Sequence, residues 1–190
     1  MMRIIGGTHR SRKLEVPQDD AVRPTGDKVR EALFSMLSHR LGTWDEAVVL
    51  DACCGSGALG LEAISRGAGK AYFMDTSTHS LALARRNAEM LREEDKCRFM
   101  TTNITRPTPA EAQCDVILMD APYNKGLTEN GLAALTEAGW ASAACIAGIE
   151  VARAESFTAP AGWRIERERE HGPARLIRSE EHTSELQSPC

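Results

Sequence analysis

The chain has 190 residues, with 23 Lys and Arg against 27 Asp and Glu and a formal net charge of −4. That length fits one domain with its own core, and 42% hydrophobic with 26% charged residues excludes wholesale disorder. No apolar run nears the ~18–20 residues of a membrane-spanning helix, the opening MMRIIGGTHRSRK has no signal-peptide core, and six cysteines without a C-x-x-C pair read as small buried hydrophobes in a reducing cytoplasm.

Taken in chain order, residues 2–17 predict two short strands, 3–5 and 13–16, reversing through Gly6-Gly7. Thr25 predicts a helix cap, and Asp27 places a negative charge in the first turn. Val29, Leu33, Met36 and Leu37 give an apolar face through about Leu41. Strands and helices then alternate. Strands are expected at 47–52, 71–74, 98–101, 115–119 and 145–151, and helices at 57–66, 78–91 and 127–138. An antiparallel pair at 163–167 and 174–177 closes the series. The expected fold is α/β: a seven-stranded, mostly parallel sheet with an antiparallel final hairpin, preceded by an N-terminal β-hairpin.

Asp51-Ala52-Cys53-Cys54-Gly55-Ser56-Gly57-Ala58-Leu59-Gly60 follows the first core strand and opens a helix. Glycines there let the backbone approach a ligand, and the helix N-terminus favours a carboxylate or phosphate. Gly55, Gly57 and Gly60 match G-x-G-x-x-G, which by itself points equally to a dinucleotide. Asp51 shifts the balance, because an acid beside a pyrophosphate repels it. S-adenosylmethionine, with an ammonium, a sulfonium and one carboxylate, tolerates that acid. Asp75, at the end of the next strand, has the ~20-residue separation of a ribose-hydroxyl acceptor.

Asp120-Ala121-Pro122-Tyr123 follows the fourth strand, which in a doubly wound sheet borders the same crevice. The tetrapeptide is similar to the [DNS]-P-P-[YFW] motif of exocyclic-amine methyltransferases. An aromatic amine is a poor nucleophile because its lone pair is delocalised. A carboxylate at 120 and the carbonyl of 121 can accept its two N–H bonds and aim the lone pair at a methyl group. Tyr123 offers a face on which an extruded base stacks, worth ~1–3 kcal/mol. Ala121 replaces the usual proline; Pro122 still biases it toward extended geometry.

The first fourteen residues hold Arg3, Arg10, Arg12 and Lys13 and no acid, and Arg23 and Arg30 follow. This is a phosphate-binding footprint, so the negative total does not speak against RNA.

Together these segments resemble the RsmD type of 16S ribosomal RNA guanine-N2 methyltransferase from Arg3 to about Ile177. The carriers are Arg3-Ile4-Ile5-Gly6-Gly7 with Arg12-Lys13-Leu14, Arg23-Pro24-Thr25 through Phe34, Leu50 through Ala63, and Asp120 to Tyr123. The resemblance implies a Rossmann-like S-adenosylmethionine-dependent methyltransferase fold. It implies that Asp51, Gly55 and Gly57 shape the methionine end of the cofactor pocket, that Asp75 holds the ribose, and that Asn103 meets the adenine amine. Asp120 and the 121 carbonyl would hold the guanine amine, with Tyr123 stacking the base. The implied partner is 16S rRNA in 30S subunits or assembly intermediates, met by a cytoplasmic monomer. The rival readings are a DNA adenine-N6 or cytosine-N4 methyltransferase, a dinucleotide oxidoreductase, and a non-catalytic RNA-binding assembly factor.

The chain is thus expected to divide into a docking arm (1–24), a methyltransferase domain (25–177) and a foreign tail (178–190). The tail from Arg178 to Ser188 has one apolar residue in eleven and resembles the translation of a sequencing-adapter read. Without Arg178, Glu180, Glu181 and Glu185 the balance becomes 22 basic to 24 acidic residues.

Overall fold

A computed structural model describes residues 2–17, 26–123 and 126–182. The N-terminal arm pairs β1 (Met2–Arg3) antiparallel with β2 (Lys13–Leu14). Helix α1 (Asp27–Leu41) leads into β3 (Val48–Ala52), α2 (Ala58–Ser65), β4 (Lys70–Asp75), α3 (Thr78–Leu91) and β5 (Cys97–Thr101). After a crossover come β6 (Cys114–Met119), α4 (Leu127–Glu137) and β7 (Ala141–Ala152), then β8 (Trp163–His171) and β9 (Ala174–Glu181). The seven-stranded sheet has the order β5-β4-β3-β6-β7-β9-β8. The strands from β5 to β7 are mutually parallel, whereas β9 runs antiparallel between β7 and β8. This is the expected fold class. No helix among the described residues is long and apolar enough to cross a membrane.

The sheet buries both faces, so its central strands are apolar throughout: Val49, Leu50, Val116, Ile117 and Leu118 have no exposed surface. On one face Leu33, Phe34 and Leu37 of α1 join Leu59, Leu61, Ala84 and Ala88 from α2 and α3. On the other, Leu132 and Leu135 of α4 pack with Trp140, Trp163 and Phe157. The order reverses at β3, which has β4 on one side and β6 on the other. The loops at the C-terminal ends of these strands therefore diverge and leave a crevice.

Three expectations change. Gly6-Gly7 is not the hairpin turn: Ile4 N donates to Arg12 O and Ser11 N to Ile4 O, so the chain reverses over residues 8–11. The glycines instead let the arm touch α2, since a Cβ on Gly7 would lie 1.7 Å from the Ser65 carbonyl oxygen. Thr25 lies outside the described residues, and Gly26 precedes α1 in extended geometry without a side-chain cap. The folded unit also runs past 177. Arg178, Ser179 and Glu180 pair with both β7 and β8, and Ser179 is fully buried with its hydroxyl donating to Arg164 O at 2.8 Å. Strand pairing depends on backbone groups, so the polarity of these residues concealed it.

The arm is part of the body. Met2, Ile4 and Leu14 belong to the main core. The buried Glu62 carboxylate accepts Ile5 N at 2.7 Å and Gly6 N at 2.8 Å, and Ser65 Oγ accepts His9 N at 2.9 Å. Buried Asn87 accepts Glu15 N at 2.8 Å and donates to Glu15 O and Ser56 O.

Candidate active site

β3 ends in Asp51-Ala52, and the chain then turns through three residues of positive φ, Cys53 (62°), Gly55 (52°) and Gly57 (78°), before α2 begins at Ala58. The glycines do different work. A Cβ on Gly57 would lie 2.9 Å from Ala84 Cβ, and one on Gly60 2.4 Å from the Phe73 ring, so both permit helix packing. A Cβ on Gly55 would meet nothing within 4 Å. Gly55 is the glycine that faces open space, where a ligand can approach.

Two carboxylates brace this loop. Asp75 accepts Gly55 N at 3.0 Å and Ser77 N at 2.8 Å, tying the end of β4 to the turn. Asp51 is buried and accepts Gly60 N at 2.8 Å. Burial pushes its carboxyl up to about 8; the Gly60 bond opposes the shift, and Asp120 and Asp75 add to it. The adjacent thiols are pushed up too, Cys53 to about 12, chiefly by burial, which makes them poor nucleophiles.

β6 lies against β3 with Ala52 opposite Met119, so Asp120 emerges beside the glycine turn. Asp51, Gly55, Ser56 and Asp120 line one cleft together with Met2, Val16 and Arg30. Ala121 is buried, Pro122 is exposed, and Tyr123 is half-buried. The Tyr123 hydroxyl donates to Glu150 Oε1 at 2.6 Å.

The other expected residues fall outside this cleft or into new roles. Asn103 sits on an exposed turn after β5, and its side-chain carbonyl accepts both the N–H and the hydroxyl of Thr105 at 2.9 Å. Two donors saturate an amide oxygen, so contact with an adenine amine requires this turn to yield one of them. Arg10, Arg12 and Lys13 are exposed on the arm, and the Arg12 guanidinium donates to Met90 O at 3.0 Å. Arg3 is exposed and paired with Asp27 at 3.0 Å. Arg30 is a correction: it is buried, donating to Arg3 O at 2.6 Å and Asp27 at 2.8 Å, so it latches the arm to α1 instead of facing solvent. Arg23 lies outside the described residues. The anchors Glu62 and Asn87 and the Tyr123 partner Glu150 escaped the sequence reading. An acid or amide on an apolar stretch was the available signal, visible at Glu62 within Leu59–Ile64 and at Glu150 within β7.

A Rossmann-like sheet with a glycine turn after its first strand, and Asp-Ala-Pro-Tyr at the end of the neighbouring one, defines a methyltransferase. Residues 2–178 match the family described as "Conserved hypothetical protein 95". Ribosomal RNA small subunit methyltransferase D of Escherichia coli K12 is 33% identical over 177 residues, covering 90% of this chain and 85% of that protein. Its Haemophilus influenzae counterpart is 28% identical over 175 residues, covering 90% and 89%. The solved structure of Escherichia coli yhhF superposes with a TM-score of 0.82 at 29% identity, over 96% of this chain and 99% of that one. A Salinibacter ruber RNA methyltransferase solved with S-adenosyl-L-homocysteine shares the fold at 16% identity, with a TM-score of 0.66 over 87% and 98%. The chain belongs to the family of ribosomal RNA small subunit methyltransferases D.

Proposed function

We propose that the protein transfers a methyl group from S-adenosylmethionine to the exocyclic N2 amine of a guanine in 16S rRNA, presented on 30S subunits or assembly intermediates. The observation that carries this reading is the convergence of Asp51, Gly55 and Asp120 on one cleft. Asp51 beside an open glycine suits a cofactor bearing an ammonium and a sulfonium and disfavours a pyrophosphate, which leaves Asp120 for the target amine. When bound, the cofactor supplies an activated methyl group on sulfur.

The chain's own residues then position and deprotonate. Asp75 keeps the glycine turn in shape through Gly55 N, and its remaining lone pairs suit ribose hydroxyls. Asp120 and the carbonyl of Ala121 accept the two N–H bonds of the target amine, which localises its lone pair. As the N–C bond forms and the S–C bond breaks, Asp120 takes the proton that the amine sheds. Tyr123 stacks the extruded base. Most of the barrier reduction comes from this alignment. The product cofactor lacks the sulfonium charge, so Asp51 holds it less tightly. Arg10, Arg12 and Lys13 contact RNA phosphates in a monomeric enzyme working in the cytoplasm.

The test is transfer of a tritiated methyl group to 30S particles and to duplex DNA, with mapping of the modified nucleoside. The expected result is N2-methylguanosine in the particles alone. Asp120→Ala should lower turnover by about 100-fold or more with unchanged cofactor affinity. Label appearing in DNA instead would give the site to an adenine or cytosine methyltransferase.

A further inference from the structure

The register between β6 and β7 brings a second carboxylate to the target-amine turn. Met119 lies opposite Ile149, so Asp120 and Glu150 leave the parallel ladder at neighbouring positions, on strands ~4.8 Å apart. Glu150 is 5% exposed, on a strand whose neighbours Ile149 and Val151 are apolar and buried. Burying a carboxylate there is costly unless it serves a bond. Tyr123, the stacking residue, donates to its Oε1 at 2.6 Å, a short charge-assisted bond that fixes both the ring and the carboxylate. A carboxylate offers about four acceptor positions, so the tyrosine bond and a bond from a base can coexist on one group.

The Asp-Ala-Pro-Tyr turn grips an amine but does not choose among bases, because adenine, cytosine and guanine all carry one. They differ in the atom next to it. In guanine the amine carbon adjoins N1–H, a donor. In adenine and cytosine it adjoins a ring nitrogen with a bare lone pair. An acceptor beside the amine site therefore attracts guanine and repels the other two.

We propose that Glu150 accepts the N1–H of the target base and so makes the site guanine-selective. This deepens the functional reading above and rests on it. The side chain that steadies the stacking ring also reads the base edge, which ties base orientation to base identity.

The test uses small-subunit particles reconstituted with rRNA carrying guanine or 2-aminopurine at the mapped position. 2-Aminopurine keeps the 2-amino group but has a lone pair at N1. Wild-type protein should prefer guanine by about tenfold or more in kcat/KM. Glu150→Gln can turn an amide N–H toward that lone pair. It should narrow the preference by about tenfold and raise absolute turnover on 2-aminopurine, a gain no merely structural defect produces. Tyr123→Phe should raise KM for both substrates and keep their ratio. An unchanged ratio in Glu150→Gln overturns the proposal and leaves Glu150 as a positioning residue for Tyr123. A wild-type ratio near one overturns it without any variant. Failure of wild-type protein to methylate the guanine particle instead refutes the underlying reading.

Discussion

With its carboxyl pushed up to about 8 by burial, Asp51 holds a proton near neutrality in the ligand-free protein. Its unfolded value is the ordinary ~3.9. Between those two values the folded chain keeps a proton that the unfolded chain has released. The stabilising contribution is complete below ~4 and is lost as pH rises through about 8. A cationic cofactor reverses the preference, because it favours the carboxylate. Cofactor affinity should therefore climb from pH 6 to pH 8, and binding at pH 7 should release a proton. Calorimetry in two buffers of different ionisation enthalpy reads this directly, and identical heats would contradict it. The glycines allow a second contrast. Gly7→Ala drives a Cβ into the Ser65 carbonyl and should cost about 3 kcal/mol or more in urea denaturation. Gly55→Ala has open space around it but a positive φ of 52°. It should cost only about 1–2 kcal/mol of stability while weakening cofactor binding. The sequence showed all these glycines but not their separate tasks, because those depend on what lies across the turn.

Among the elements, the central strands and their helices were legible because short apolar runs bounded by Gly and Asp have few other interpretations. The arm was legible as a hairpin and illegible as a wall of the cleft. Its anchors lie far downstream, 57 residues in the Ile5–Glu62 bond and 84 in the His9–Glu93 bond, and no local pattern reports contacts of that span. Glu62→Ala removes the acceptor for two backbone N–H groups at once and should cost about 3 kcal/mol. The effect should appear as faster amide exchange confined to residues 3–14 and α2. Uniform acceleration across the sheet would instead mean that the arm and body unfold together.

For the whole molecule, the mostly parallel sheet with an antiparallel end followed from alternation and a closing hairpin, but the length of that hairpin did not. Hydrophobicity fades after Ile177, whereas backbone pairing continues to Glu181. Truncation after residue 177 should strip the β7 partners of Ile146, Ala147 and Gly148 and lower the thermal midpoint. The charge balance reads differently at this scale as well. The exposed bases Arg10, Arg12 and Lys13 sit on the arm, while Arg30 is spent inside the fold, so the arm's exposed positive charge comes from a smaller set than the sequence suggested.

Asn87 has a further consequence. One amide nitrogen donates both to Glu15 O on the arm and to Ser56 O in the glycine turn, so the two segments share a hinge pin. Anything that stiffens the arm also stiffens the turn, and the converse holds by thermodynamic necessity. RNA engagement and cofactor affinity should then rise together by the same factor, with the substrate preparing the pocket from behind. Asn87→Ala should leave each ligand able to bind alone and weaken their mutual enhancement, read as a smaller change in cofactor Kd when RNA is added.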